Sequence, residues 1–360
     1  MADSKTVSSF FKKQGIDLSW NRLGIKGMGA MAQGLFASLL IGTIFNTIGT
    51  QTGIDFLNKI GGFATGVTGA AMAVSIGFAL EAPPFVLYSL VAVGQAANGL
   101  GGAGGPLAVY FITLIAVVAG KLVSKTTPVD LIITPLVTIA AGVGAAFLLA
   151  PPIGKAASSI GIAIMWATDM QPFIMGIVVS VIVGIVLTLP ISSAAICAAL
   201  GLTGLAGGAA LAGCCAHMVG YAAASFRENK IGGLLAQGLG TSMLQIPNLV
   251  KKPVLWLPAV ISSAVNGPVA TCFFKLEQNG PAIASGMGTC GLVGPIGVVT
   301  GWLSPSEAAI NAGQIPGGST FDWVGLIVIA FVIPVVVTLA ASEIMRKKGI
   351  IQPGDLKIDC

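Results

Sequence analysis

The sequence predicts an all-α polytopic membrane protein of eight to ten transmembrane helices carrying two re-entrant hairpins. Three observations lead there. Of the 360 residues, 55% are hydrophobic and only 9% charged, whereas a soluble domain needs roughly a quarter charged residues to cover its surface. Apolar stretches of about 20 residues, enough to span a bilayer, recur along the chain. The 50 glycines suit helices whose backbones approach closely in lipid.

Taken in order, stretches of spanning or near-spanning length lie at 28–49, 62–80, 85–100, 106–120, 131–150, 171–190, 253–273 and 322–342. The first is long enough to be a retained helix rather than a cleaved signal. Residues 191–224 are too long for one span and centre on Gly201-Leu-Thr-Gly-Leu-Ala-Gly-Gly208, while 281–303 are broken at Gly294-Pro295. Both suit re-entrant hairpins, which survive at membrane depth only when buried in protein or lining a wet cavity. Gly99 to Gly105 reads as a tight turn between spans. The tail from Phe10-Phe11-Lys12-Lys13 to Trp20, and residues 153–168 and 231–248, read as amphipathic pieces along the membrane surface.

The net charge of +5 does not form a basic face for nucleic acid. Its cations cluster between apolar runs: Lys5, Lys12, Lys13, Arg22 and Lys26; Lys121 and Lys125; Arg227, Lys230, Lys251 and Lys252; Arg346, Lys347, Lys348 and Lys357. With hairpins entering from opposite faces, the positive-inside rule puts all of these in the cytoplasm, and both termini with them. That fits a multi-pass protein of a cytoplasmic membrane. The six cysteines have no CxxC spacing and read as packing residues. No metal site, cofactor motif, P-loop or nucleophile–base pair is visible, so the chain is not expected to be an enzyme.

Ionisable and polar groups within apolar sequence are the candidate functional residues. Glu81 and Asp169 open the repeated pattern acid-x-x-Pro-Phe and are candidates for ion coupling, or for complementing the positive end of the next helix. His217, the only histidine, lies in Ala212-Gly-Cys-Cys-Ala-His-Met-Val-Gly-Tyr221, where an imidazole can serve a polar solute as donor or acceptor. The segment Asn266-Gly-Pro to Asn279-Gly-Pro281 brackets Lys275 and Glu277 between two expected helix breaks. Discontinuous helices near the midplane are how transporters build solute sites. Gln237, Gln245 and Asn248 read as solvated positions on a connector.

Five longer motifs carry a family resemblance: Met165-Trp-Ala-Thr with Gln171-Pro-Phe, Leu189-Pro-Ile-Ser-Ser-Ala-Ala, Ser225-Phe-Arg-Glu-Asn, Gly233-Leu-Leu-Ala-Gln-Gly-Leu-Gly-Thr-Ser-Met-Leu-Gln245, and Gln352-Pro-Gly-Asp-Leu-Lys. Together they resemble the EIIC-like membrane proteins of the bacterial phosphotransferase system, including the PfoR-type toxin-regulator branch, over residues 20–358. The resemblance implies a homodimer whose residues 1–165 form a scaffold and whose residues 166–360 carry the hairpins. It implies a permease for a sugar or sugar derivative, with His217 and Glu277 as solute ligands; Asn266 and Asn279, at the two expected breaks, are further candidate solute ligands. The family's usual Gly-Ile-Thr-Glu context is replaced here by Lys275-Leu-Glu277-Gln-Asn. Any phosphotransfer is expected to need separate EIIA and EIIB proteins. Two rival functions follow from the same residues: a membrane sensor regulating gene expression, and an ion-coupled carrier working through Glu81 or Asp169.

Overall fold

A computed structural model describes residues 14–311, 313 and 317–358; the expected surface segment at Phe10 to Lys13 lies outside them. Among the described residues the helices run α1 (Asn21–Thr52), α2 (Asp55–Gly66), α3 (Thr68–Ala79), α4 (Pro84–Gly101), α5 (Gly105–Val123), α6 (Asp130–Thr168), α7 (Pro172–Thr188), α8 (Ser193–Ala199), α9 (Gly204–Ala224), α10 (Phe226–Leu235), α11 (Ile246–Lys251), α12 (Pro253–Phe273), α13 (Val293–Leu303), α14 (Glu307–Asn311) and α15 (Thr320–Lys347). By length and composition six helical runs can cross a membrane: α1, the α4–α5 run, α6, α9, α12 and α15. The pair α2–α3, bent by 50°, can supply a seventh. The apolar helices α7 and Cys290–Leu303 are shorter. The fold is all-α and polytopic, as its composition requires.

Two compact units divide the chain, one of Met1–Gly42 with Gly62–Ala156 and one of Thr43–Gly61 with Ala157–Cys360. In the first, α3, α4 and α5 pack together with the early part of α1. Gly69 and Gly94 face each other so closely that a Cβ on either would strike the other's carbonyl. The chain turns from α4 into α5 at Gly102, whose φ of +51° is open to glycine but strained for other residues. The glycine-rich 99–105 stretch is thus the tight turn its composition predicts. Large apolar side chains face outward: Phe78 and Leu148 are each 76% exposed, a surface that suits lipid and not water.

Helix α6 runs unbroken for 39 residues through Pro135, Pro151 and Pro152. At 1.5 Å per residue it is about 58 Å long, nearly twice the hydrocarbon thickness. The sequence reading ended a span at 150 and began a surface connector at 153; the structure joins them without a break. The division between the two units falls within this helix.

In the second unit α7, α9, α12 and α15 form a tightly packed group. Its interfaces are made of small residues. Gly213 of α9 abuts the Ser180 carbonyl of α7, and Gly267 of α12 abuts Gly176 of α7. Small residues let helix backbones meet in lipid, where hydrophobic burial gives no drive to associate. Ser180 adds a hydrogen bond, its hydroxyl donating to the Ser263 carbonyl at 2.7 Å. Residues 191–224 form the short helix α8, a turn at Gly201 (φ +60°) and the 21-residue α9. Every α9 residue from Gly207 onward is buried, so this half of the expected hairpin is a full-length central helix. In residues 281–303 short helical turns at Ala282–Gly286 and Cys290–Leu292 lead into α13, whose Gly297 carbonyl lies against Gly280. The glycines at 288 and 291 and Leu292 adopt left-handed backbone there. Helix α15 begins on a capping box, with the Ser319 hydroxyl accepting from the Asp322 N–H and Asp322 accepting from the Ser319 N–H.

Candidate functional site

His217 stands midway along α9 and is fully buried. Its Nδ1 lies 2.8 Å from Thr188 Oγ1 at the end of α7, and that hydroxyl lies 2.8 Å from Ser242 Oγ. The ring stacks edge-on against Tyr221 at 5.8 Å and tilts against Trp256 at 6.0 Å. Nε2 has no hydrogen-bond partner and runs beside Gly184, where a Cβ would come within 3.0 Å of it. One pole of the imidazole is therefore fixed by hydroxyls while the other keeps its hydrogen-bonding capacity unspent. An unmet polar atom in so buried a place costs about 1–3 kcal/mol, which marks it for an explanation. Sequence reasoning missed Thr188 and Ser242; the motif Leu189-Pro-Ile-Ser beside Thr188 marks where α7 stops, but not which side chain meets the histidine.

Glu277 lies in the non-helical stretch after α12. Its carboxylate accepts a 3.0 Å hydrogen bond from Asn279 Nδ2, and Asn279 is only 1% exposed. The backbone here pairs with the start of α9: Gly204 N–H donates to the Gln278 carbonyl at 2.9 Å, and Gln278 N–H to the Gly204 carbonyl at 3.0 Å. Hydroxyls join α8 and the turn after it to the helical turn Ala282–Gly286. Ser285 donates to the Leu202 carbonyl at 2.7 Å and Ser193 to the Gly286 carbonyl at 2.6 Å. The Gln278 side chain is fully buried, donates to the Pro281 carbonyl at 3.0 Å and leaves Oε1 without a partner. Gly208 of α9 packs on the backbone at Leu276–Glu277. Since His217 lies nine residues further along α9, it sits about 13 Å from Glu277 along the helix axis. The two do not touch.

Asn266 is placed differently from its expectation. Residues 253–273 are helical throughout, so the first Asn-Gly-Pro lies inside α12 and breaks nothing. A π-helical turn at Val269–Phe273 follows. The Asn266 amide donates to the Ala212 carbonyl of α9 and the Ile329 carbonyl of α15, each at 2.9 Å, and so joins three helices. Lys275 is exposed, with φ at +49°. It lines a cavity of about 500 Å³ with Gln171, Pro172, Phe173, Leu205, Thr271 and Cys272, at the end of α7 and α9 opposite Thr188 and His217.

Of the two acid-x-x-Pro-Phe carboxylates, Glu81 belongs to the first unit and Asp169 to the second. Glu81 takes φ +54° just past α3, where Ala82 N–H closes on the Gly77 carbonyl at 2.9 Å, a left-handed helix stop. Its carboxylate pairs with Arg22 at 2.6 Å. The hydrogen bond from Arg22, then that residue's charge, hold the Glu81 carboxyl below the ordinary range. Beside them Lys121 is buried, its ammonium donating to the Gly15 and Leu80 carbonyls at 2.8 and 2.6 Å. Asp169 is exposed in the turn between α6 and α7.

Gln237, Gln245 and Asn248 are not solvated. The two glutamines are fully buried and Asn248 is 9% exposed. Among the described residues no group of three or more His, Cys, Asp or Glu is arranged to hold a metal ion.

No curated protein and no solved structure matches the chain. The family described as phosphotransferase system, EIIC, matches residues 25–358, a span taking in every helix from α2 to α15, and with them the buried histidine, the Glu277 loop and both halves of the tightly packed group. The chain belongs to the EIIC family of the phosphotransferase system.

Proposed function

We propose that this membrane component of sugar uptake conducts a small, neutral, polar solute by alternating access, with Glu277 and Asn279 as one station and His217 as a deeper one. The observation that carries the reading is the free Nε2 of His217 in α9, the most buried candidate span among the described residues. A sugar hydroxyl supplies the missing partner. The separation of about 13 Å along α9 exceeds one sugar ring, so a monosaccharide meets the two stations in turn. Lys275 and Gln171, at the cavity facing away from His217, would receive the solute first.

Charge supports an orientation. Arg227, Lys230, Lys251, Lys252 and Arg346 lie at the α9–α10, α11–α12 and α15 ends of the second unit, and cations near span ends favour the cytoplasm. In this reading both termini are cytoplasmic, residues 1–165 form the scaffold of a homodimer, and residues 166–360 do the carrying. Separate EIIA and EIIB proteins would deliver the phosphoryl group.

The test is equilibrium binding of radiolabelled hexoses, hexitols and their acetamido derivatives to protein in nanodiscs, followed by uptake into proteoliposomes. His217→Ala and Glu277→Gln are expected to lower affinity at least tenfold in protein that still unfolds cooperatively, with His217→Ala melting lower for the loss of its buried ring and its Thr188 hydrogen bond. Wild-type affinity in both variants would refute the stations.

A further inference from the structure

Beyond α15 the chain does not trail away. Residues 349–358 form no regular helix, yet Ile351 and Leu356 are 2% exposed and Ile358 is 9% exposed. The side chains of Ile351 and Leu356 join a core with Tyr221, Leu249, Leu255, Ala259 and Met345. An irregular segment buried this way must find partners for its backbone groups, and side-chain amides supply them. Asn229 takes both sides of one stretch, its Nδ2 donating to the Leu356 carbonyl at 2.8 Å and its Oδ1 accepting from the Ile358 N–H at 3.0 Å. Gln245 donates to the same Leu356 carbonyl at 3.0 Å, and Asn248 to the Lys357 carbonyl at 2.8 Å. Lys252 closes the set on Asp355 at 2.6 Å. The segment is thus held through its main chain together with two apolar anchors, Ile351 and Leu356, and one acid, the way a binding groove holds an extended peptide.

The receiving amides continue inward. Gln245 Nε2 also donates to Gln237 Oε1 at 2.8 Å, and Gln237 donates to Ser225 Oγ at 2.8 Å. Gln237 belongs to a π-helical turn, Ala236–Gly240, whose Gly238 carbonyl accepts from Thr289 of the 281–303 stretch at 2.5 Å. Two residues past that turn, Ser242 meets Thr188, and Thr188 meets His217. Tyr221 gives a second, apolar route, touching the Leu356 core on one side and the His217 ring on the other.

We propose that residues 225–252 are a peptide-binding site, that the chain's own segment 351–358 is its resident and releasable ligand, and that occupancy holds the hydroxyl anchors of His217 and the Thr289 contact in place. The peptide site stands whether or not the chain conducts a sugar; the effect on solute affinity rests on the function proposed above.

The experiment is hydrogen–deuterium exchange on the full chain in nanodiscs, comparing wild type with Leu356→Asp, Lys252→Asp and the swapped pair Lys252→Asp/Asp355→Lys. Leu356→Asp is expected to speed exchange at least tenfold in 349–358, in 236–242 and in 285–292, with 84–101 unchanged. The single Lys252→Asp should loosen the same segments and the swapped pair restore them. A synthetic peptide of residues 350–358, added to Leu356→Asp protein, should return protection at 236–242 in a saturable way. Exchange that rises only in 349–358, a peptide without effect at millimolar concentration, or melting that includes 84–101 would each overturn the proposal. Hexose affinity measured on the same samples separates the two ideas: the exchange pattern without hexose binding in wild type leaves the peptide site and removes the sugar reading, while hexose binding unaltered by release of the segment removes only the coupling.

Discussion

Thr188 Oγ1 sits 2.8 Å from His217 Nδ1 and equally far from Ser242 Oγ, with all three side chains fully buried. The same hydroxyl reaches the Gly184 carbonyl at 3.2 Å. If Thr188 gives its proton to Gly184, it accepts from both Ser242 and the His217 Nδ1–H, and Nε2 is left as an acceptor aimed at a donor hydroxyl. Thr188→Val keeps the shape and removes every one of these bonds. It is expected to cost about 1–3 kcal/mol of stability, read by thermal unfolding, and to weaken solute affinity, whereas Thr188→Ser retains both.

Gly184 sets the room for that ring. A methyl there would lie 2.7 Å from His217 Cδ2 and 2.8 Å from the Gly213 carbonyl, and the backbone oxygen cannot turn aside. Gly184→Ala is expected to destabilise by about 1–3 kcal/mol through overpacking and to move the imidazole, visible as a changed His217 resonance by NMR.

Asn266 separates a structural role from a binding one. Its amide spans α9 and α15, so Asn266→Ala removes two buried interhelical hydrogen bonds and should cost about 1–3 kcal/mol. Solute affinity of the folded fraction should stay within twofold of wild type. A selective loss of affinity with unchanged melting would place Asn266 among the solute ligands.

The exposed corner of the first unit answers to pH. The Glu81 carboxyl is held below its ordinary value of 4.5, so the folded chain binds this proton less readily than the unfolded one. Pairing with Arg22 therefore stabilises the fold above the ordinary carboxylate range, and the contribution fades as pH falls through the lowered value. Glu81→Gln should flatten that part of the stability profile between pH 5 and 3, measured by chemical denaturation. Uptake by the same variant should match wild type at neutral pH; its collapse would assign Glu81 to ion coupling.

Arg346 and Glu228 form a two-pronged ion pair at 2.9 and 3.2 Å, with only 11% and 9% of their side chains exposed. Removing either partner alone leaves a shielded charge and should cost about 3–5 kcal/mol. The double replacement Arg346→Met/Glu228→Leu should recover most of it, giving a large coupling in a double-mutant cycle.

What could be read from the chain beforehand follows from what the bilayer enforces. Lipid demands long apolar helices, so composition alone exposed the class, and the Gly99–Gly105 turn and the broken backbone at 281–303 were visible because glycine and proline punctuate locally. Asn266-Gly-Pro was misread because Pro268 directly precedes a π-helical turn and is absorbed by the helix, while the Asn266 amide is taken up by carbonyls of α9 and α15 that no local pattern names. The amides at 237, 245 and 248 resemble solvent-facing residues until residues 351–358 are folded against them. Thr188 and Ser242 lie far apart along the sequence, and a hydroxyl partner for the histidine leaves no periodic trace. Small-residue contacts such as Gly213 on Ser180 gave a composition signal without an address.

Cys197, Cys214, Cys215 and Cys290 are buried, whereas Cys272 is exposed at the mouth of the cavity shared with Lys275 and Phe173. Among the described residues the natural chain thus carries one open thiol, already seated where a fluorophore or a maleimide would sense that chamber filling. A spectroscopic reporter of occupancy is built in, and reading it requires no substitution in the helices that carry the histidine.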